Sequence, residues 1–226
     1  VVIDTYRKDN KEEYLFLVQQ LTALVGRKKG EQQTIANLIQ SATENGGSLD
    51  DHLKSSILAG LTNGLKENED HNLLLKPVES RLITTFLNHP SKPVREQALQ
   101  LLEIQKNVLN AKAIKKEVAE VLQMVKNQNL SAERRSQMLE FLVLTDPSLY
   151  VKELQELIVS TDVPAVQEIA IKILSQVSGT QVTQYLLENW KNIKKENKNV
   201  ALNIFLKEND RIPLLLAALK KGKIPV

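Results

Sequence analysis

One helical phrase returns along this chain and limits what it can fold into: VREQALQLL from Val94, VQEIAIKIL from Val166, and the looser RRSQMLEFL from Arg134 and NKNVALNIF from Asn197. The small-residue position of the phrase, filled by Ala98, Met138, Ala170 and Ala201, recurs after 40, 32 and 31 residues. That is the period of stacked two-helix units, each of which needs its neighbours to bury an apolar face. Val94, Ala98, Leu101 and Leu102 share one helical stripe, with Arg95, Glu96 and Gln100 lying elsewhere; Val166, Ala170, Ile173 and Leu174 repeat the arrangement.

Composition agrees with helices packed side by side. Aromatic residues make up 4% of the 226, so Leu, Ile, Val and Ala carry the apolar content, a balance that suits an all-α domain better than a β-sandwich. No stretch alternates apolar and polar residues in the manner of a half-buried strand. The net charge of +3 permits an acidic partner without demanding one. Cysteine is absent, which excludes disulfides, thiolate nucleophiles, Cys-ligated zinc and covalent haem attachment. No apolar run approaches the ~18 residues of a membrane span, and no basic start followed by an apolar stretch marks a secretory signal. The opening Val1-Val2-Ile3, without an initiator Met, reads as part of a longer polypeptide.

Periodicity and punctuation predict twelve helices. Those of the first half cover 12–25, 31–44, 49–66, 73–88 and 94–106. The second half follows with 112–127, 132–144, 148–160, 165–177, 182–189, 196–207 and 213–220. Gly26 with Gly30, Asn45-Gly46-Gly47, and His89-Pro90 with Pro93 supply the breaks. Ser131 and Asp162 stand where N-caps are needed, and Pro93 and Pro164 fit the first turn. Helix pairs joined by such short corners stack, so the expected fold is a single right-handed α-solenoid over 1–226.

The run from Pro93 to Leu102 resembles the HEAT repeat, which implies a superhelix of about six HEAT- or armadillo-like pairs. A narrower resemblance rests on LTALVGRKKG (Leu21 to Gly30), the VQEIAIKIL helix, YLLENWKNI (Tyr185 to Ile193) and RIPLLLAALKKGKI (Arg211 to Ile224). These look like the HEAT-repeat region of large multidomain proteins described as membrane-bound dehydrogenases with a haem-binding cytochrome c domain. In that family a β-propeller similar to sugar dehydrogenases precedes the repeats and a CxxCH module follows them. The resemblance implies an extracytoplasmic parent whose redox chemistry lies in other domains. This chain departs from the family pattern in having no Cys and no propeller strands, so a middle segment carries over and the redox activity does not.

Candidate chemistry is sparse. His52, His71 and His89 are spaced by 19 and 18 residues, and no pair falls at the i, i+4 spacing that aligns imidazoles; they read as helix-end, first-turn or loop positions. Glu12-Glu13, Asp50-Asp51 and Glu67 with Glu69-Asp70 sit at helix starts or in loops, where the helix dipole or solvation accounts for them. Gly26-Arg27-Lys28-Lys29-Gly30 lacks the Gly-Lys-Ser/Thr ending of a phosphate loop and reads as a basic corner. Basic clusters at Lys112, Lys115-Lys116, Lys191, Lys194-Lys195, Lys198, Lys220-Lys221 and Lys223 would follow a phosphate backbone if one face gathered them. HEAT-like DNA alkylpurine glycosylases work in such a groove with Trp, Asp and Arg around the damaged nucleotide. Here Trp190 and Asp210-Arg211 are the available counterparts, and Glu188, Glu196, Glu208 and Asp210 interrupt the charge. Trp190, like Phe86, Phe141 and Phe205, reads as a core residue.

The expectation is therefore a non-catalytic scaffold or protein-interaction module, with no catalytic, cofactor-binding or metal-binding residues. Its partners would be other domains of its own polypeptide or another protein; nucleic acid is the lesser alternative. Arg27, Lys28, Lys29, Lys191, Lys194 and Lys195 are the candidate interaction surface.

Overall fold

A computed structural model describes residues 12–46, 49–69, 75–104 and 114–224. Twelve α-helices run through them, with no strand among the described residues. They are α1 (Glu12–Arg27), α2 (Gln32–Thr43), α3 (Asp51–Leu65), α4 (Glu79–Asn88), α5 (Lys92–Ile104) and α6 (Lys115–Lys126). The rest are α7 (Ala132–Leu142), α8 (Val151–Ser160), α9 (Pro164–Leu174), α10 (Gln181–Glu188), α11 (Lys198–Phe205) and α12 (Ile212–Lys220).

Each predicted helix has its counterpart, and the bounds shift at both ends; α7 and α9, for example, stop at Leu142 and Leu174, two and three residues earlier than expected. Within the helix predicted over 73–88, Lys76–Val78, with Pro77 inside it, forms a 3₁₀ turn ahead of α4 at Glu79. The predicted 148–160 and 196–207 open in the same way, with 3₁₀ turns at Pro147–Tyr150 and Lys195–Asn197. The predicted starts at Leu73 and Lys112, the end at Lys106, and the residues Gly47, Asp70 and His71 lie outside the described residues. Ser131 caps α7 as expected, its hydroxyl accepting from the Arg134 N–H at 3.1 Å. Asp162 makes no cap on α9; the N–H of Val163 instead donates to the Thr161 hydroxyl. Gly30 closes the α1–α2 corner at φ +83°, a backbone shape that L side chains resist.

The chain divides into two compact units, 1–110 and 111–226. In the first, α3 packs along α1 on one side and α5 on the other, while α2 rests on α3, α4 rests on α5, and α2 touches α4. In the second, α9 lies between α7 and α11, with α6 on α7, α8 on α9, and α12 beside α10. Each of these contacts joins a helix to the next one or to the next but one.

The repeat phrase supplies much of the core of both units. Ala98, Met138, Ala170 and Ala201 are buried, and so are Leu102, Leu142, Leu174 and Phe205 four residues on. The same register fits α3, where Ile57 and Leu61 are buried; this copy stands 41 residues before Ala98. The predicted stripes Val94, Ala98, Leu101, Leu102 and Val166, Ala170, Ile173, Leu174 are almost wholly shielded, as are Phe86, Phe141 and Phe205.

The α1–α3 contact differs from the others. A Cβ placed on Gly60 would lie 1.9 Å from Thr22 Oγ1 and 2.3 Å from the Gln19 carbonyl oxygen. One on Gly64 would lie 2.1 Å from the Ala23 carbonyl oxygen, and one on Gly26 would lie 3.1 Å from the Gly64 Cα. Small residues on both helices let the two backbones meet directly.

Candidate functional site

Three residues before each buried repeat position stands a long polar side chain, and four of the five are used in one way. Lys54 Nζ donates to the Glu44 carbonyl at 2.9 Å, Arg95 Nη1 to His89 O at 2.8 Å, Arg135 Nε to Val125 O at 2.6 Å, and Gln167 Nε2 to Ile158 O at 2.7 Å. Each donor sits in the first turn of α3, α5, α7 or α9, and each acceptor is at or next to the C-terminal end of the preceding helix. Those last carbonyls have no partner within their own helix, and the three cations are also favoured there by the helix dipole. Lys198 holds the same place on α11 but sends its Nζ over the Trp190 ring, 5.7 Å from the centroid. These polar clamps went unread in the sequence; their signal is a long donor three residues ahead of the repeat position, at intervals of 41, 40, 32 and 31 residues.

Gln167 makes the most of its place. It is fully buried, and its amide also donates to Asn192 O while its Oε1 accepts from the Lys194 N–H at 2.8 Å and from Asn197 Nδ2 at 3.1 Å. All its donor and acceptor capacity is spent on holding helices, so it has none to offer a substrate. His89 is likewise structural. Its Nδ1 accepts from the Ser91 N–H at 3.1 Å, which fixes the proton on Nε2, 3.9 Å from Asp51 Oδ1. Burial pushes this imidazole below its ordinary range, and Asp51 opposes the shift, while Lys54 and Arg95 add to it.

The proposed surface residues fall into two places. Arg27, Lys28 and Lys29 form the α1–α2 corner in the first unit, and each meets a carboxylate. Arg27 grips Glu67 through Nε and Nη2, both at 2.9 Å; Lys28 Nζ lies 2.7 Å from Glu31 and Lys29 Nζ 3.4 Å from Glu69. Asn68 Nδ2 donates to the Gly26 carbonyl and ties the same corner. With its cations matched by acids, the corner is poorly suited to hold phosphate. Exposed pairs of this sort add little stability.

Lys191, Lys194 and Lys195 belong to the second unit. Lys194 gives its backbone N–H to Gln167, and Lys195 opens a 3₁₀ turn. Lys191 borders an open cavity of about 390 Å³ shared with Lys221, Lys223, Glu188 and Trp190. Trp190 itself is only 4% exposed and lies 6.3 Å from the Phe205 ring, so its face is covered by the protein and offers no platform for a base.

A different surface of the second unit is concave and apolar. Between α6 and the start of α8 runs an apolar groove of about 340 Å³ lined by Ile114, Val118, Ala119, Leu122, Leu149 and Tyr150, with Lys115 and Glu153 at its edges. Its floor is fixed. Tyr150 is buried, its hydroxyl donates to the Leu142 carbonyl at 2.7 Å and meets the Thr145 hydroxyl, and burial pushes its pKa up to about 12. Leu149 stands 63% exposed at the rim.

Among the described residues no group of three or more His, Asp or Glu side chains is placed to hold a metal ion, and no helix is long and apolar enough to cross a membrane. No protein-family model, no curated protein and no solved structure matches this chain.

Proposed function

We propose that the chain is a non-catalytic protein-interaction scaffold built as a right-handed α-solenoid of HEAT-like helix pairs, within a larger polypeptide. The observation that carries this reading is the α6–α8 groove: an apolar channel on a fixed tyrosine floor with one lysine and one glutamate at its edges. Such a channel suits an amphipathic helix that inserts one or two apolar anchors and sets its register against the edge charges. The repeat register supports the architectural half of the proposal, since five copies of one core pattern fall on every second helix, α3 and α5 in the first unit and α7, α9 and α11 in the second.

The occupant of the groove is an adjoining domain of the same polypeptide. This follows from the resemblance to the dehydrogenase–cytochrome c family, in which sugar oxidation and haem-based electron transfer belong to flanking domains and the parent is extracytoplasmic. A nucleic-acid role has less support, because the aromatic it would need is buried and the basic corner is paired.

The test is an amide NMR titration of residues 1–226 with the flanking domains of the parent polypeptide supplied in trans. Perturbations centred on Val118, Ala119, Leu122 and Leu149, and their loss in Val118→Lys, are the expected result. Unperturbed groove signals, with shifts at Lys191 and Lys221 on adding duplex DNA at low salt, would overturn the reading in favour of nucleic acid.

A further inference from the structure

The dipeptide Asn-Gly occurs twice in this chain, at Asn45-Gly46 and Asn63-Gly64. In such a pair the side-chain amide of the asparagine is open to attack by the next backbone nitrogen, because glycine has no Cβ to bar the approach. Both asparagines are exposed, but their glycines differ. Gly64 is buried within α3, where its N–H belongs to the helical ladder, and a Cβ there would strike the Ala23 carbonyl. Gly46 is exposed in the α2–α3 corner at φ +74°, and a Cβ added to it would meet nothing within 4 Å. Among the described residues no backbone carbonyl accepts from the Gly46 N–H.

We infer that Asn45 is a site of spontaneous deamidation and that Asn63, in the same dipeptide of the same molecule, is protected by the fold. The Gly46 nitrogen, once solvent base has taken its proton, attacks Cγ of Asn45. A bond forms between the two atoms, the Cγ–Nδ2 bond breaks, and Nδ2 leaves as ammonia with a proton from water, which closes a five-membered succinimide. Water then opens the ring. Addition at Cγ gives aspartate, and addition at the main-chain carbonyl gives isoaspartate, in which the chain runs through the side-chain carboxyl carbon. Either product adds a negative charge to the corner. Isoaspartate also adds a methylene to the main chain directly after Glu44, whose carbonyl Lys54 holds. At Asn63 the attacking nitrogen is engaged in α3, so ring closure there waits for local opening of the helix.

The test is peptide mapping by mass spectrometry of residues 1–226 kept at neutral to mildly alkaline pH and sampled over weeks, beside the same chain unfolded in guanidinium chloride. In the folded protein the Asn45 peptide should convert at least about tenfold faster than the Asn63 peptide, because freeing the Gly64 amide requires α3 to open. In guanidinium chloride the two should convert at similar rates. The Asn45 rate should rise about tenfold per pH unit, following the deprotonated fraction of an amide far below its pKa. The product should accept a methyl group from an isoaspartyl methyltransferase, and Asn45→Gln should abolish that labelling. An Asn45 peptide that stays intact in the folded protein while it converts in guanidinium chloride overturns the proposal, and so does a folded protein in which Asn63 converts as fast as Asn45. Because the groove of the second unit is not involved, its NMR titration stands or fails independently.

Discussion

Gln167 shows how a single side chain can decide a fold of this kind. Replacing it with Leu fits the volume but strips partners from the Ile158 carbonyl, the Lys194 N–H and the Asn197 amide, all in or next to the core. Each buried polar group left unpaired costs ~1–3 kcal/mol, so Gln167→Leu should destabilise by about 3 kcal/mol or more, read from the urea midpoint at unchanged m-value. His89 gives a pH signature. Its folded pKa lies below the unfolded one, so unfolding takes up a proton when the pH is below the ordinary imidazole value. Its contribution is then complete above about pH 7 and is lost as the pH falls through ~6.5 toward the folded value. The stability difference between wild type and His89→Asn should shrink on acidification from pH 7.5 to 5; a constant difference would show that the imidazole is not held neutral. The polar roles of these residues were not legible beforehand. Arg95 was read as lying off the apolar stripe, which is correct, but where its guanidinium reaches depends on the preceding helix end, which periodicity along one helix does not encode.

At the scale of the element, the helices themselves were legible, because Leu, Ile and Val at 3.6-residue spacing and Gly or Pro corners act locally. Helix starts were less so, since a 3₁₀ opening at Pro147 or Lys195 carries no apolar period of its own. The glycine seam of α1 and α3 was hidden for another reason: Gly60 and Gly64 read as weak points of a helix until the neighbour that touches them is known. In an isolated helix Gly→Ala gains up to ~1 kcal/mol. Here the added methyl meets backbone oxygens, so Gly60→Ala and Gly64→Ala should destabilise by about 2 kcal/mol or more, and Gly26→Ala, whose contacts begin at 3.1 Å, by less. Thermal midpoints in that order would bear out the seam; a stabilised Gly64→Ala would refute it. The basic corner after α1 was legible as a corner, but its paired state was not, because Glu67 and Glu69 lie 40 residues away from Arg27 and Lys29.

The whole molecule divides into two compact units, and its single tryptophan lies in the second. Phe141→Ala empties a fully buried site in that unit, at a cost of about 3–5 kcal/mol. Tryptophan fluorescence should then report an early transition in urea, while far-UV CD resolves a second step at the wild-type midpoint. A single shared midpoint would mean that the two units melt as one. The candidate groove escaped sequence reading because its wall combines Ile114, Val118 and Leu122 with Leu149 and Tyr150 from a separate element. Which surfaces stay open is decided by the stacking of helices distant in sequence. The polar clamps bear on the same scale. They tie the start of one helix to the end of the one before across six, nine or ten residues of chain, so each of these corners is closed by a side chain as well as by the backbone. A corner that keeps both clamp partners should therefore accept a few added residues, a graft or a tag at a small entropic cost, read as a nearly unchanged thermal midpoint.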